Sequence, residues 1–438
     1  MNMSFSAGRY RSLSLAVVLI TAAISAFLPA PAMSASDAGQ QPEQQEVEVL
    51  HWWTAKGEMK AAQVLQGSLE QQSIGWKNFA IAGGGGESAM TVLKSRAVSG
   101  NPPSAAQLKG YDLQEWGMLG FLTSLDEVAD AQRWDQLLPP VISQIMKYQG
   151  HYVAVPVNIH RVNWLWINPA LLEKAGATVP DSLESFFVAA EKLKQANIVP
   201  VALGSDPWQE VTLFESVALA VLGPQDYRRA FVDLDSDMLA GEQMVDVFRQ
   251  FEHMRQYIDV KTKAMEWSDA SAMLVEGKAA MQFMGDWAKG EFSALGKTPG
   301  KEILCVPAPG TQGLFTYNID SFAFFKHSDD LSIQAQETMA HTILTPDFQR
   351  KFNLAKGSIP VRTDVDMTGF DSCSLASAAA FQLNQQNNTL VPSISQGLAS
   401  TSYVQAAIFD VVTDFFHSKQ TDPVKAANQL ARAVKSAR

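Results

Sequence analysis

The stretch Val47-Glu48-Val49-Leu50-His51-Trp52-Trp53-Thr54-Ala55-Lys56-Gly57-Glu58 decides the fold. Its first half alternates in part between apolar and polar residues and reads as a strand. From Glu58 to Gln72, Met59, Ala62, Val64, Leu65 and Leu69 recur on a helical period. Residues Trp76 to Ala82 read as a second strand and end in Gly83-Gly84-Gly85-Gly86. A helix with Ala89, Val92, Leu93 and Val98 follows, and stops before the turn signal Gly100-Asn101-Pro102-Pro103. Ala105-Ala106-Gln107-Leu108 is then a short third strand. Strand, helix, strand, helix, strand is the order of a parallel sheet covered by helices.

A second α/β block begins near Tyr152, with strand-like runs at Val153–Val157 and Val162–Trp166, a helix from Asp181 to Ala196 and a strand from Val199 to Leu203. From Trp208 to about Glu291 the pattern is mainly helical. Strands are expected at Ile303–Pro307 and Phe322–Phe325, and helices from Tyr403 onward. No internal repeat is evident.

The N-terminus has a basic start (Arg9, Arg11), an apolar run from Leu13 to Leu28 and the small residues Ala30-Pro31-Ala32-Met33-Ser34-Ala35. That order predicts a signal peptide over 1–35, cut between Ala32 and Ala35, and hence export to the periplasm. Residues 36–46, rich in Gln, Ser and Asp, read as a flexible leader. The roughly 400 residues that remain are too many for one core, so two lobes are expected. A formal charge of −11 argues against nucleic acid or an anionic membrane as partner. Cys305 and Cys373 are the two cysteines; in an oxidising compartment they are expected to pair.

Several residues stand where a ligand site would form. Open α/β sheets bind ligands beyond the carboxyl ends of their strands, where Trp52, Trp53 and Glu58 follow the first strand and Lys109 the third. A flat indole suits the C–H face of a pyranose, and Glu58 and Lys109 can bond hydroxyls. The tryptophans and Glu58 read equally as core residues and a helix N-terminal acid, and for Lys109 a solvated surface lysine is the commoner case. Trp208, Trp267 and Trp287 are candidates for the opposite wall, although tryptophans at helical spacing are more often core. Asp320, between apolar strand residues, is either a paired buried acid or a ligand acceptor. Gly83–Gly86 lacks a following Gly-Lys-Ser/Thr and reads as a plain turn rather than a phosphate loop. Nucleophile, zinc-protease and metal-cluster signatures are missing. A secreted glycoside hydrolase using two cleft carboxylates is the competing class.

Taken in order, His51-Trp52-Trp53-Thr54 with Gly57-Glu58, Gln107-Leu108-Lys109-Gly110, Pro156–Asn168, Pro207-Trp208-Gln209, Gly285–Gly290, Tyr317–Phe322 and Lys356–Arg362 resemble a known family. It is the family 1 extracellular solute-binding proteins of ABC sugar importers, in its glucose-binding subgroup. The resemblance implies an α/β, two-lobe periplasmic binding protein fold, with crossing strands as hinge and a ligand cleft between the lobes. Lobe I is expected over 47–156 plus 320–366, and lobe II over 157–319 plus 367–438. It implies a monosaccharide ligand, D-glucose first, stacked on Trp53 with Trp52 beside it. Glu58, Lys109, Asp320 and Lys356 would bond its hydroxyls, under a second-lobe tryptophan, Trp267 or Trp287 ahead of Trp208. The partners implied are the permease subunits of the importer, with a chemoreceptor compatible as a second reader, a monomeric state, and neither cofactor, metal nor catalytic residue. Two departures bear on the choice of sugar. Lys56 stands where a small residue is common, and Gln396 stands where His is expected in glucose binders.

Overall fold

The computed structural model describes residues 45–258 and 265–438. The expected signal peptide, its cut, and the leader as far as residue 44 lie outside the described residues. Glu46, expected as the last residue of the leader, is instead the first of a strand.

The chain lays down β1 (Glu46–His51), β2 (Gly75–Ala80) and β3 (Ala105–Leu108), separated by the helices Lys56–Glu70 and Glu87–Val98. A short hairpin follows, β4 (Lys147–Tyr148) and β5 (His151–Tyr152). Next come β6 (Ala154–Arg161), β7 (Trp164–Ile167), β8 (Val199–Val201), β9 (Ala279–Phe283) and β10 (Leu304–Pro307). The last two are β11 (Phe315–Phe324) and β12 (Leu390–Pro392).

β1 pairs in parallel with β2 and with β3, the arrangement that the strand–helix alternation predicts. The ten-residue β11 runs antiparallel to β3 and to β6, and parallel to β12. It reaches well beyond the four residues expected from sequence, because both of its edges are paired and every residue in it is buried. A second sheet has the order β10-β7-β9-β8. The stretch from Trp208 to Glu291 is mainly helical among the described residues, as expected, but it also contains the inner strand β9, which the sequence reading did not separate. Ala279–Phe283 is buried on both faces, and a short buried strand leaves no alternation to distinguish it from a buried helix.

Each sheet has its own core. The first gathers Val49, Leu65, Leu93, Leu108, Ile159, Phe322 and Phe352. The second gathers Val162, Trp166, Phe214, Phe248, Met281, Phe292 and Phe415. β6 leads out of the first core directly into β7 of the second, and β10 leads back into β11. These two connections join the lobes, and a third follows β12, where the chain passes from the first sheet to the helices Ser402–His417 and Pro423–Ala437 of the second core. The helix Pro207–Phe231 of the second lobe breaks at Gly223, which takes a left-handed φ of 69° ahead of Pro224. Proline cannot donate the next helical hydrogen bond and glycine tolerates the turn, so the chain changes direction there.

Candidate ligand-binding site

Trp52 and Trp53 follow the end of β1, and Lys109 follows the end of β3, so the parallel pair β1–β3 presents them side by side. Asn318 and Asp320 project from one face of β11, in register with His160 and Asn158 of β6. Glu58 is in the first turn of the helix Lys56–Glu70, and Lys356 ends the helix Pro346–Lys356. From the second lobe come Trp267, first residue of its helix, Trp287, just ahead of the helix Ala288–Ala294, and Gln396, in the loop after β12. All of these except Asn158 line one cavity of about 20 Å³, together with Gly84. Every candidate from sequence is therefore in one place, with Trp208 just outside it.

The polar groups form a charge-compensated floor. Lys356 Nζ donates to Glu58 Oε1 at 2.9 Å, a pair almost wholly out of water. Asp320 accepts from His160 Nε2 at 3.2 Å, and His160 Nδ1 bonds Asp286 on its other side. Burial would raise the Asp320 carboxyl, but the bonded His160, with Lys356 and Lys109 nearby, holds it well below the usual carboxylate range. Burial opposes charge on His160, yet the two flanking carboxylates raise its pKa. Burial lowers the Lys109 ammonium, against the pull of Asp320 and Asp112. Lys109 Nζ donates to Gln396 Oε1 at 2.9 Å and lies 5.0 Å from the centroid of the Trp52 ring.

Two atoms in this lining are buried without a protein partner, the donor Trp53 Nε1 and the acceptor Asn318 Oδ1. Buried polar atoms are nearly always bonded, so this donor and this acceptor are free to take a partner that enters the cavity. Beyond the Lys109–Gln396 bond is a second chamber of about 250 Å³, lined also by Trp208, Glu87, Asp112 and Ser395. Burial pushes the Asp112 carboxyl up to about 6, against the nearby Lys109.

Sequence reasoning gave no role to His160, Asn318 or Gly84. The first two sit in the quoted runs Pro156–Asn168 and Tyr317–Phe322; the two-residue period of a strand could have placed Asn318 on the face of Asp320, while only the pairing of β6 with β11 brings His160 there. Gly83–Gly86 is more than the plain turn expected. A Cβ on Gly84 would stand 2.7 Å from Trp267 Cδ1 and 3.1 Å from Trp208 Cζ2, so the loop passes flat against the second-lobe tryptophans. Lys56 is exposed and outside the lining.

Residues 70–382 match the family described as bacterial extracellular solute-binding protein. The chain belongs to that family. It is 44% identical over 396 residues to a "probable sugar-binding periplasmic protein" of Brucella suis biovar 1, covering 90% of this chain and 93% of that one. It is 45% identical over 392 residues to a protein of Rhizobium meliloti with the same description, covering 90% and 94%. Among solved structures, a chitin oligosaccharide binding protein superposes with a TM-score of 0.76 at 19% identity, covering 90% of this chain and 98% of the other.

A solute-binding protein is a carrier, not an enzyme. Among the described residues no group of three or more His, Cys, Asp and Glu could hold a metal ion. No described helix is long and apolar enough to cross a membrane. The lobes of this solute-binding protein also meet backbone to backbone. Gly57 N donates to Glu291 Oε1 at 2.5 Å, and a Cβ on Gly57 would lie 2.4 Å from the carbonyl carbon of Gly290. The Cys305–Cys373 pair forms a disulfide between β10 and the helix Ser372–Gln386.

Proposed function

We propose that this protein is the periplasmic sugar-binding component of an ABC importer, taking up a monosaccharide, D-glucose first, and handing it to the membrane permease. The observation that carries the reading is the cavity itself: tryptophans from both lobes face a floor of Glu58, Lys109, Asp320 and Lys356, with Trp53 Nε1 and Asn318 Oδ1 unmet. Indole faces suit the C–H surface of a pyranose, and fixed ionic groups hold its hydroxyls in place. The descriptions of the Brucella and Rhizobium relatives agree with a sugar in the periplasm.

A cavity of about 20 Å³ holds roughly one water molecule by this measure. A hexose therefore enters only when the walls move apart, and the three connections between the lobes act as the hinge for that motion. The sugar, bonded by both lobes, favours the closed form over the open one, and that difference is what the permease reads.

The chamber of about 250 Å³ beyond Lys109 and Gln396 favours a second reading, in which the ligand is a disaccharide whose second ring enters that space. Calorimetric titration with D-glucose, galactose, mannose, xylose, maltose and glycerol separates the two. Tight binding of glucose, with the sugar recovered unchanged, supports the first reading; maltose binding with glucose silent supports the second. A chain that binds none of them, or that consumes the sugar, overturns both. A ligand at about 100 times its dissociation constant also raises folding stability by about 2.7 kcal/mol, an independent thermal check.

A further inference from the structure

Glu215 is a carboxylate in the interior of the second lobe, 1% exposed and outside the cavity. No lysine, arginine or histidine among the described residues is bonded to it. It accepts instead from the loop after β12. Ile394 N donates to Oε2 at 2.7 Å and Ser395 N at 3.2 Å. Ser395 Oγ donates to Oε1 at 2.7 Å, and Ser393 Oγ lies 2.9 and 3.0 Å from the two oxygens. Tyr227, from beyond the break at Gly223, adds its hydroxyl at 3.4 Å. A buried carboxylate left without these donors would cost several kcal/mol, so the loop and the acid hold each other in place.

The loop delivers Gln396. Its backbone N donates to Ser393 Oγ at 3.2 Å and its Nε2 to Ser395 Oγ at 3.3 Å. Both serines that touch Glu215 thus also touch Gln396. The far end of that side chain, Oε1, accepts from Lys109 of the other lobe. A continuous run of hydrogen bonds leads from the core of the second lobe to the ligand cavity.

We propose that Glu215 is a positioning residue for ligand binding, holding the Ser393–Gln396 loop so that Gln396 meets Lys109 and the sugar. This rests on the cavity being the sugar site. Glu215 itself touches neither ligand nor Lys109; it acts through Gln396.

Burial pushes the Glu215 carboxyl up to about 7, which gives the role a signature. Tyr227 and, beyond it, Tyr317 of β11 face the same region, and burial raises both, Tyr317 to about 12, so neither titrates with it. Arg228 donates to Leu390 O at 3.1 Å. As pH falls through 7, Glu215 gains a proton and loses acceptor capacity for the loop, so affinity should fall. Its effect on stability has the opposite sign. A carboxyl raised above its ordinary 4.5 contributes stability that is present below that value and lost as pH rises through 7.

The test compares wild type, Glu215→Gln, Gln396→Ala and the double variant by sugar titration between pH 5.5 and 8.5, with hydrogen exchange of residues 393–398 in the sugar-free protein. Glu215→Gln keeps the shape, should weaken the preferred sugar by about tenfold, and should flatten the pH profile. In the Gln396→Ala background it should add no further loss, and exchange across the loop should rise. Equal losses in both backgrounds, or an unchanged loop, would overturn the proposal. Should Glu215→Gln fail to fold, Ser395→Ala cuts the same link and should give the same lack of additivity with Gln396→Ala. A wild type that binds none of the sugars sinks the cleft reading instead, and hydrogen exchange alone then decides whether Glu215 anchors the loop.

Discussion

Lys109 of the first lobe and Gln396 of the second meet at 2.9 Å, Nζ to Oε1, and both side chains line the small cavity and the larger chamber alike. Gln396 also stands at a position where the glucose-binding subgroup leads one to expect His. A glutamine accepts from lysine through its carbonyl while its amide still donates to Ser395, so it keeps both hydrogen-bonding senses. This contact stands between the cavity of about 20 Å³ and the chamber of about 250 Å³.

Gln396→Ala removes that contact and leaves the buried ammonium of Lys109 with only Gly85 O, at 3.4 Å. Affinity for glucose should fall about tenfold, and the ratio of maltose to glucose affinity should rise. Calorimetry with both sugars measures this; unchanged values for both would show that the Lys109–Gln396 bond plays no part in choosing the ligand.

Gly57→Ala should separate folding from closure. The new methyl would lie 2.4 Å from backbone of Gly290, which cannot swing aside as a side chain would. In the first turn of its helix, however, alanine is a better helix former than glycine by up to about 1 kcal/mol. The melting temperature should hold or rise, while sugar affinity falls and small-angle scattering shows a wider particle in saturating sugar. A variant that closes and binds like wild type would show that this contact does not limit closure.

Acid should act through Asp320. Its carboxyl is held below its ordinary value of 3.8, so the unfolded chain takes up the proton first as pH falls. The stability this group contributes is therefore present above about pH 4 and lost at lower pH. Asp320→Asn should be less stable at pH 7, because Lys356, Lys109 and His160 lose a counter-charge, and should lose less on going from pH 5 to pH 3. Urea melts across that range give both numbers, and parallel curves for the two proteins would contradict the assignment.

Reducing the Cys305–Cys373 bond opens a loop with a sequence separation of 68. The chain-entropy account gives a loss of about 4 kcal/mol for a loop of that length. Neither cysteine lines the cavity. Guanidinium melts with and without reductant should differ by about that amount, while the sugar affinity of the folded protein stays the same.

Much of the site was legible because its residues follow local rules. Trp52, Trp53 and Lys109 stand just past strand ends, where an open α/β sheet places its ligand contacts. Asp320 was conspicuous as an acid within an apolar strand. Trp287 lines the cavity with the other candidates, but the residues before it form β9 and not the helix expected. His160 carried no signal of its own, because only the pairing of β6 with β11 brings it to Asp320, whereas Asn318 shares Asp320's face by the two-residue period of its own strand. Glu215 was silent for the same reason: nothing in Phe214-Glu215-Ser216 tells that its acceptors are spent on serines at 393 and 395.

The sequence by itself determined the alternation of strands and helices, the need for two cores and the kinds of side chain available at the strand ends. These depend on periodicity and chain length, which are local or additive properties. Only the tertiary structure decided which of those side chains share a cavity. Lys109 and Gln396 are 287 residues apart and Glu58 and Lys356 are 298 apart. Their meeting depends on the connections between the lobes and on glycines thin enough to let the lobes touch, and neither condition can be read from spacing along the chain.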